Sequence, residues 1–172
     1  MIEESLVVSD TNIFFDLLDV NLLDAFFRLP CEITTSDFVI REILRSEQAK
    51  AVNEFIRYGR LDVVSFNPEE FKGVMELFEK SGNNTSITDC SVWYHAKRTG
   101  GRLLTGDAKL RKSAVADSVK VSGILYILDN LVEYGIADEI TCADRLEQLM
   151  KKNQRLPVHE CEKRIGDWRR RL

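Results

Sequence analysis

No run of 18 or more apolar residues occurs in this 172-residue chain, so nothing in it reads as a membrane-spanning helix. The first residues, Met1-Ile2-Glu3-Glu4-Ser5, carry acids where a secretion signal carries Lys or Arg, and a cytoplasmic protein is expected. Histidine is scarce, with only His95 and His159. The four cysteines, Cys31, Cys90, Cys142 and Cys161, are scattered without a C-x-x-C pair. That spacing argues against a zinc site and leaves reduced, mostly buried thiols as the expectation. Internal repeats, low-complexity segments and an evident linker are also missing, and the length suits one compact domain.

What is present is a chain 44% hydrophobic, enough to bury a sizeable core. Its net charge of −4 is unevenly spread. Residues 1–86 hold 16 acids and 8 bases, whereas residues 87–172 hold 12 acids and 16 bases. The asymmetry permits a basic surface beside an acidic pocket without requiring one.

Short apolar runs alternate with helical patterns. Strands are expected at Ser5–Ser9, Glu32–Thr35, Leu61–Phe66, Arg102–Thr105 and Val119–Ser122. Helical patterns span 12–29, 37–58, 107–116, 123–134, 138–152 and 157–170. Two further helices announce their starts. Asn67-Pro68-Glu69-Glu70 combines an N-cap, a first-position proline and acids at the positive helix end, with Phe66 and Phe71 spaced as a hydrophobic staple. Ser86 caps a helix running to about Arg98, which Gly100-Gly101 ends. Strand–helix alternation with buried-looking strands predicts an α/β fold on a parallel sheet covered on both faces.

In such sheets ligands bind beyond the carboxyl ends of the strands. Asp10 directly follows the first strand and Asp107 the fourth, so both are expected at one edge. Glu42 lies four residues after Phe38 and three after Val39, on the apolar side of its helix, where a carboxylate is costly without a cation. Asp89 falls in the first turn of the helix that Ser86 caps. Each acid also has a structural reading: Asp10 and Asp107 as helix caps, Asp89 as the acid of a capping box, Glu42 reaching past the apolar stripe to water. One metal-binding crevice accounts for all four together. Clustered carboxylates repel by roughly 4 kcal/mol per pair at about 4 Å and an effective dielectric of 20, a cost that a divalent cation removes. Oxygen ligands and few histidines suit Mg²⁺ or Mn²⁺.

These residues resemble the PIN domain, a metal-dependent nuclease family. The resemblance is carried by Asp10-Thr11-Asn12 after a strand, Val39-x-x-Glu42-Ile43, Ser86-x-x-Asp89 and Thr105-Gly106-Asp107, and is closest from Ile87 through Gly135. It implies a three-layer α/β/α sandwich around a five-stranded parallel sheet, with residues 1–136 forming the nuclease domain and residues 137–172 a C-terminal helical extension packed on it. It also implies a Mg²⁺- or Mn²⁺-dependent endoribonuclease, of the kind that serves as the VapC-type toxin of a toxin–antitoxin pair. Asp10, Glu42, Asp89 and Asp107 match the acidic quartet, and Asn12 and Thr105 match polar positions that tune the ligands. Gly106 stands where many members carry a second Asp.

Arg102, Lys109, Arg111 and Lys112 surround Asp107 and read either as RNA phosphate contacts or as a solvated face. Trp93 and Tyr94 read as core first and base-stacking groups second. Phe14, Phe15, Phe26 and Phe27 supply more apolar area than one helix face needs, for wide burial or for a homodimer or antitoxin surface. Rival functions are a non-toxin RNA-processing nuclease, a phosphatase with Asp10 as nucleophile, and an inert binding module. Against the phosphatase, Asn12 stands where such families place another Asp.

Overall fold

The computed structural model describes residues 2, 4–43, 48–82 and 84–170. All five expected strands form: β1 (Leu6–Val8), β2 (Ile33–Ser36), β3 (Asp62–Val64), β4 (Arg102–Leu104) and β5 (Val121–Ser122). They make one sheet in the order β3-β2-β1-β4-β5, and every pairing is parallel. Leu6, Val7 and Val8 are all fully buried although successive side chains point to opposite faces, so the sheet is covered on both sides. The result is the covered parallel sheet that the alternating pattern predicts and the three-layer α/β/α architecture that the resemblance implies.

Ten helices occupy the described residues: α1 (Thr11–Asp19), α2 (Leu23–Phe26), α3 (Asp37–Ile43), α4 (Ala49–Arg57), α5 (Pro68–Lys80), α6 (Ile87–Thr99), α7 (Ala108–Ala116), α8 (Ile124–Glu133), α9 (Glu139–Lys152) and α10 (Val158–Arg170). The pattern over 12–29 is two helices, not one. Asn21 takes a left-handed φ of 55° and the Leu22 amide bonds back to the Leu17 carbonyl, which closes α1. The pattern over 37–58 likewise gives α3 and α4, and the part expected between them at residues 44–47 lies outside the described residues. The last strand begins two residues later than expected, after Ser118 turns the chain at φ 62°.

The signposted helices form as their caps dictate. The Asn67 side chain accepts from the Glu69 and Glu70 amides while the Glu70 carboxylate accepts from the Asn67 amide. The staple works through a third ring: Phe38 stacks on Phe71 at 6.1 Å between centroids and lies 6.3 Å from Phe66. Gly100, at φ 70°, caps α6 in the left-handed conformation. Gly73 lets α5 approach α6, since a Cβ there would stand 2.3 Å from Tyr94 Cε2.

The chain forms two compact units: residues 1–13 with 30–123, and residues 14–29 with 124–172. In the first, α6 packs on β1, β2 and β4, α3 on β2 and β3, and α7 on β5. Asp117, at the end of α7, binds Lys80 of α5 at 2.9 Å and Lys97 of α6 at 2.8 Å. Burial opposes its charge, but the two ammonium groups outweigh it and hold the carboxyl below the ordinary aspartate range. A carboxyl with a lowered folded pKa stabilises fully above its unfolded value and loses that contribution as pH falls through the folded one. Asp117→Asn is therefore expected to cost about 1 kcal/mol at pH 7, the scale of a partly exposed ion-pair network. The gap from wild type should narrow as pH falls below the ordinary value of 3.8. Thermal melts at pH 7 and pH 3 check this; a gap that stays constant with pH overturns it.

In the second unit α9 and α10 pack together, and α8 contacts α2 and α9. Phe14 and Phe27 stack at 6.2 Å, and Phe14, Phe26 and Phe27 are buried, so three of the four phenylalanines serve the core. Arg164 grips Asp129 with Nε and Nη2. Cys90, Cys142 and Cys161 are buried and Cys31 half-buried, all as free thiols. Among the described residues no helix is long and apolar enough to cross a membrane.

Candidate metal centre

The strand order reverses between β1 and β4: β2 and β3 extend one side, β5 the other. That is the switch point at which a parallel sheet opens a crevice beyond its carboxyl edge. Val8 pairs with Leu104, and the Ser9 amide donates to the Leu104 carbonyl at 3.0 Å, so the two strands end side by side. Asp10 lies two residues past that register and Asp107 three, at the same edge. Asp89 arrives from the other direction. The carboxyl end of α6 runs through Gly100-Gly101 into the amino end of β4, which places the opening turn of α6 at the carboxyl edge.

The capping readings of the acids hold, and they do not compete with a ligand role. Asp10 Oδ1 accepts from the Asn12 amide at 2.6 Å and the Ile13 amide at 3.3 Å. Asp107 Oδ1 accepts from the Leu110 amide at 2.8 Å. Asp89 Oδ2 accepts from the Ser86 amide at 3.1 Å, completing a capping box. Each cap engages one carboxylate oxygen and leaves the second outside it.

Burial pushes the Asp10 carboxyl above the ordinary aspartate range. The amides of Asn12 and Ile13 pull it back, and the charges of Asp89 and Asp107 push it up again. Asp89 is raised by burial too, with relief from Ser86 and further repulsion from Asp107 and Glu42. Asp10, Asp89 and Asp107 thus lie within electrostatic reach of one another, and Glu42 within reach of Asp89. Among the described residues no three of them are drawn up into a ready chelate. The donor chemistry fits a hard divalent cation: three half-buried aspartates that repel one another, an exposed glutamate beside them, and neither histidine nor cysteine among them.

Of the two readings of Glu42, the one in which it reaches past the apolar stripe to water holds: it is exposed, and Thr88 Oγ1 donates to its Oε1 at 2.9 Å. Thr105 is fully buried, and its Oγ1 accepts from the Asp107 amide at 3.0 Å, which fixes the turn carrying that acid. Asn12 is exposed on the first turn of α1. The four basic residues separate. Lys109 and Lys112 are exposed on α7. Arg111 is half-buried and donates to the Thr105 carbonyl at 2.9 Å, bracing the same turn. Arg102 opens β4, at the end of the strand away from Asp107, and binds Glu4 and Ser122. Trp93 is buried and Tyr94 half-buried against α5, so core packing accounts for both. His95 is also buried, which lowers its pKa despite the nearby charge of Glu32.

Sequence reasoning missed Thr88, Ser36 and Ser91. Ser91 Oγ stands 2.7 Å from Ser36 Oγ, and the latter accepts from the Val39 amide at 3.3 Å. Isolated hydroxyls carry no periodicity; the one available signal was Thr88 standing beside Asp89 at the start of a helix.

A parallel α/β sandwich with acids converging at its switch point is a class of domain suited to holding a cation or a polar ligand there. The chain belongs to the PIN domain family: the family described as "DUF3368: PIN domain" matches residues 6–169. No curated protein matches the chain. Among solved structures, PAE2754 from Pyrobaculum aerophilum shares the fold, with a TM-score of 0.56 and 18% identity over 76% of this chain and 96% of that one. VapBC2 from Rickettsia felis, solved bound to a DNA fragment from its promoter, gives a TM-score of 0.49 and 17% identity over 69% of this chain and 98% of that one. VapBC-1 from nontypeable Haemophilus influenzae gives 0.48 and 14%, over 69% and 96%.

Proposed function

We propose that this chain is a divalent-metal-dependent endoribonuclease, with Asp10, Glu42, Asp89 and Asp107 as the residues that hold Mg²⁺ or Mn²⁺. The observation that carries the reading is the mutual repulsion of Asp10, Asp89 and Asp107 at the switch point, which burial makes costly without a cation, with Glu42 beside Asp89. When bound, the metal supplies charge neutralisation and an acidified water for in-line attack on a phosphodiester. The protein's own part is positioning. The caps of α1, α6 and α7 hold Asp10, Asp89 and Asp107 through one oxygen each. Thr105 and Arg111 fix the turn before α7. Asn12 sits beside Asp10 as a polar neighbour to the ligands, the role also proposed for Thr105. Exposed Lys109 and Lys112 are the cations placed to meet RNA phosphates, and Arg111 combines that role with bracing.

The biological setting follows the resemblance to the PIN family, many of whose small single-domain members are VapC-type toxins: a cytoplasmic toxin held by an antitoxin, acting as a homodimer. The division into a nuclease domain, residues 1–136, and a helical extension, residues 137–172, belongs to the same proposal. A short open reading frame adjacent to this one, whose product abolishes growth arrest caused by expressing this chain, is the expected finding for a toxin. Without both, the RNA-processing alternative takes its place.

End-labelled single-stranded RNA incubated with the protein is expected to be cut in Mn²⁺ or Mg²⁺ and left whole in EDTA, with activity restored by excess Mn²⁺. Cutting that survives EDTA undiminished overturns the metal assignment.

A further inference from the structure

We propose that Thr88 is a positioning residue of this acidic site, holding the Glu42 carboxylate beside Asp89; the inference rests on the metal-nuclease reading above. Of the four acids, Glu42 alone is not fixed by capping a helix. It is exposed, on a long side chain that water alone would leave to rotate. The Thr88 hydroxyl, one residue before Asp89, donates to Glu42 Oε1 at 2.9 Å. A threonine hydroxyl within a helix ordinarily bonds back to a carbonyl three or four residues earlier. Thr88 is the second residue of α6, so no helical turn precedes it, and its hydroxyl reaches across to α3 instead. β-branching restricts its χ1 and aims the bond.

A second, buried contact sets the two helices against each other. Ser36 Oγ receives the Val39 amide at the start of α3 and meets Ser91 Oγ of α6, which itself donates to the Thr88 carbonyl at 2.6 Å. The serine pair fixes where α3 begins relative to α6, and Thr88 then fixes the acid near the far end of α3. Two ligands on different helices are thereby held as a unit, the arrangement in which a hydrogen-bonding neighbour tunes metal affinity.

Thr88→Val keeps shape and removes the hydroxyl; Thr88→Ser keeps the hydroxyl. The valine variant is expected to lose about tenfold in kcat on RNA with KM changed less than about twofold, and to bind Mn²⁺ about tenfold more weakly by calorimetry. The serine variant should recover most of both losses. In a Glu42→Ala background, Thr88→Val should add less than about twofold to the loss of Mn²⁺ affinity, because its partner is absent. Thr88→Ala repeats the measurement if valine impairs folding. The inference is overturned if Thr88→Val matches wild type in Mn²⁺ affinity and kcat while Asp10→Asn is inactive. It also fails if Thr88→Ser is as impaired as Thr88→Val, or if the valine effect on Mn²⁺ affinity is undiminished beside Glu42→Ala. A wild-type protein that neither cuts RNA nor takes up Mn²⁺ sinks the nuclease reading itself, and this inference with it.

Discussion

Asp10→Asn is expected to reduce metal-dependent RNA cleavage by about a thousandfold, roughly 4 kcal/mol of barrier, while raising the melting temperature of the metal-free protein by about 2–4 °C. The two effects share one cause. Asparagine caps a helix as well as aspartate does, so the bonds from the Asn12 and Ile13 amides survive the change. What disappears is a negative charge that burial and the charges of Asp89 and Asp107 make costly. Without a cation that charge opposes folding at neutral pH, and its removal is a gain of about 1 kcal/mol, the usual size of a stability–function trade-off. Mn²⁺ should reverse the ranking, stabilising wild type more than the variant, because ligation favours only the folded state that retains its ligands. Cleavage of end-labelled RNA and melts with and without Mn²⁺ measure both halves. Full activity in the variant removes Asp10 from the site. A variant that melts lower than wild type without metal shows that the charge was not opposing folding.

Trp93→Ala is expected to destabilise by about 3–5 kcal/mol, lowering the melting temperature by roughly 10 °C. Trp93 is 1% exposed on α6, the helix that packs on β1, β2 and β4, so truncation opens a cavity in the core. Trp93→Phe should be far milder. The indole Nε1 is buried without a hydrogen-bond partner among the described residues, and replacing the ring removes that unsatisfied donor along with some volume. At a temperature where Trp93→Phe remains folded, its RNA affinity and cleavage should match wild type. A folded Trp93→Phe protein with weakened RNA binding would restore the base-stacking role and displace the packing one.

Much of the architecture was legible before any coordinates. Strands such as Leu6–Val8 are continuous apolar runs, as burial on both faces requires, and all five expected strands pair in one sheet. Asn67, Ser86 and Gly100 marked helix ends by local chemistry alone, so α5 and α6 began and stopped where expected. The broken helices show the limit. Apolar periodicity continues from α1 into α2 across Asn21, and nothing in the pattern distinguishes a bend from a straight run when both bury the same side chains.

The edge location of Asp10 and Asp107 was likewise determined by sequence, because a residue that directly follows a parallel strand has one edge available to it. The sequence also marked Asp89 as the first-turn acid of its helix. Which strands neighbour one another was another matter. Only the tertiary structure set β1 beside β4 and so made their two acids neighbours. Glu42 was settled by tertiary structure as well: helical spacing left it either on the apolar stripe or reaching past it to water, and it is exposed and held by Thr88 across 46 positions. Periodicity reports the face a side chain leaves from. Where a long, flexible carboxylate comes to rest is decided by whichever donor the neighbouring helix presents, and that depends on how α3 and α6 pack.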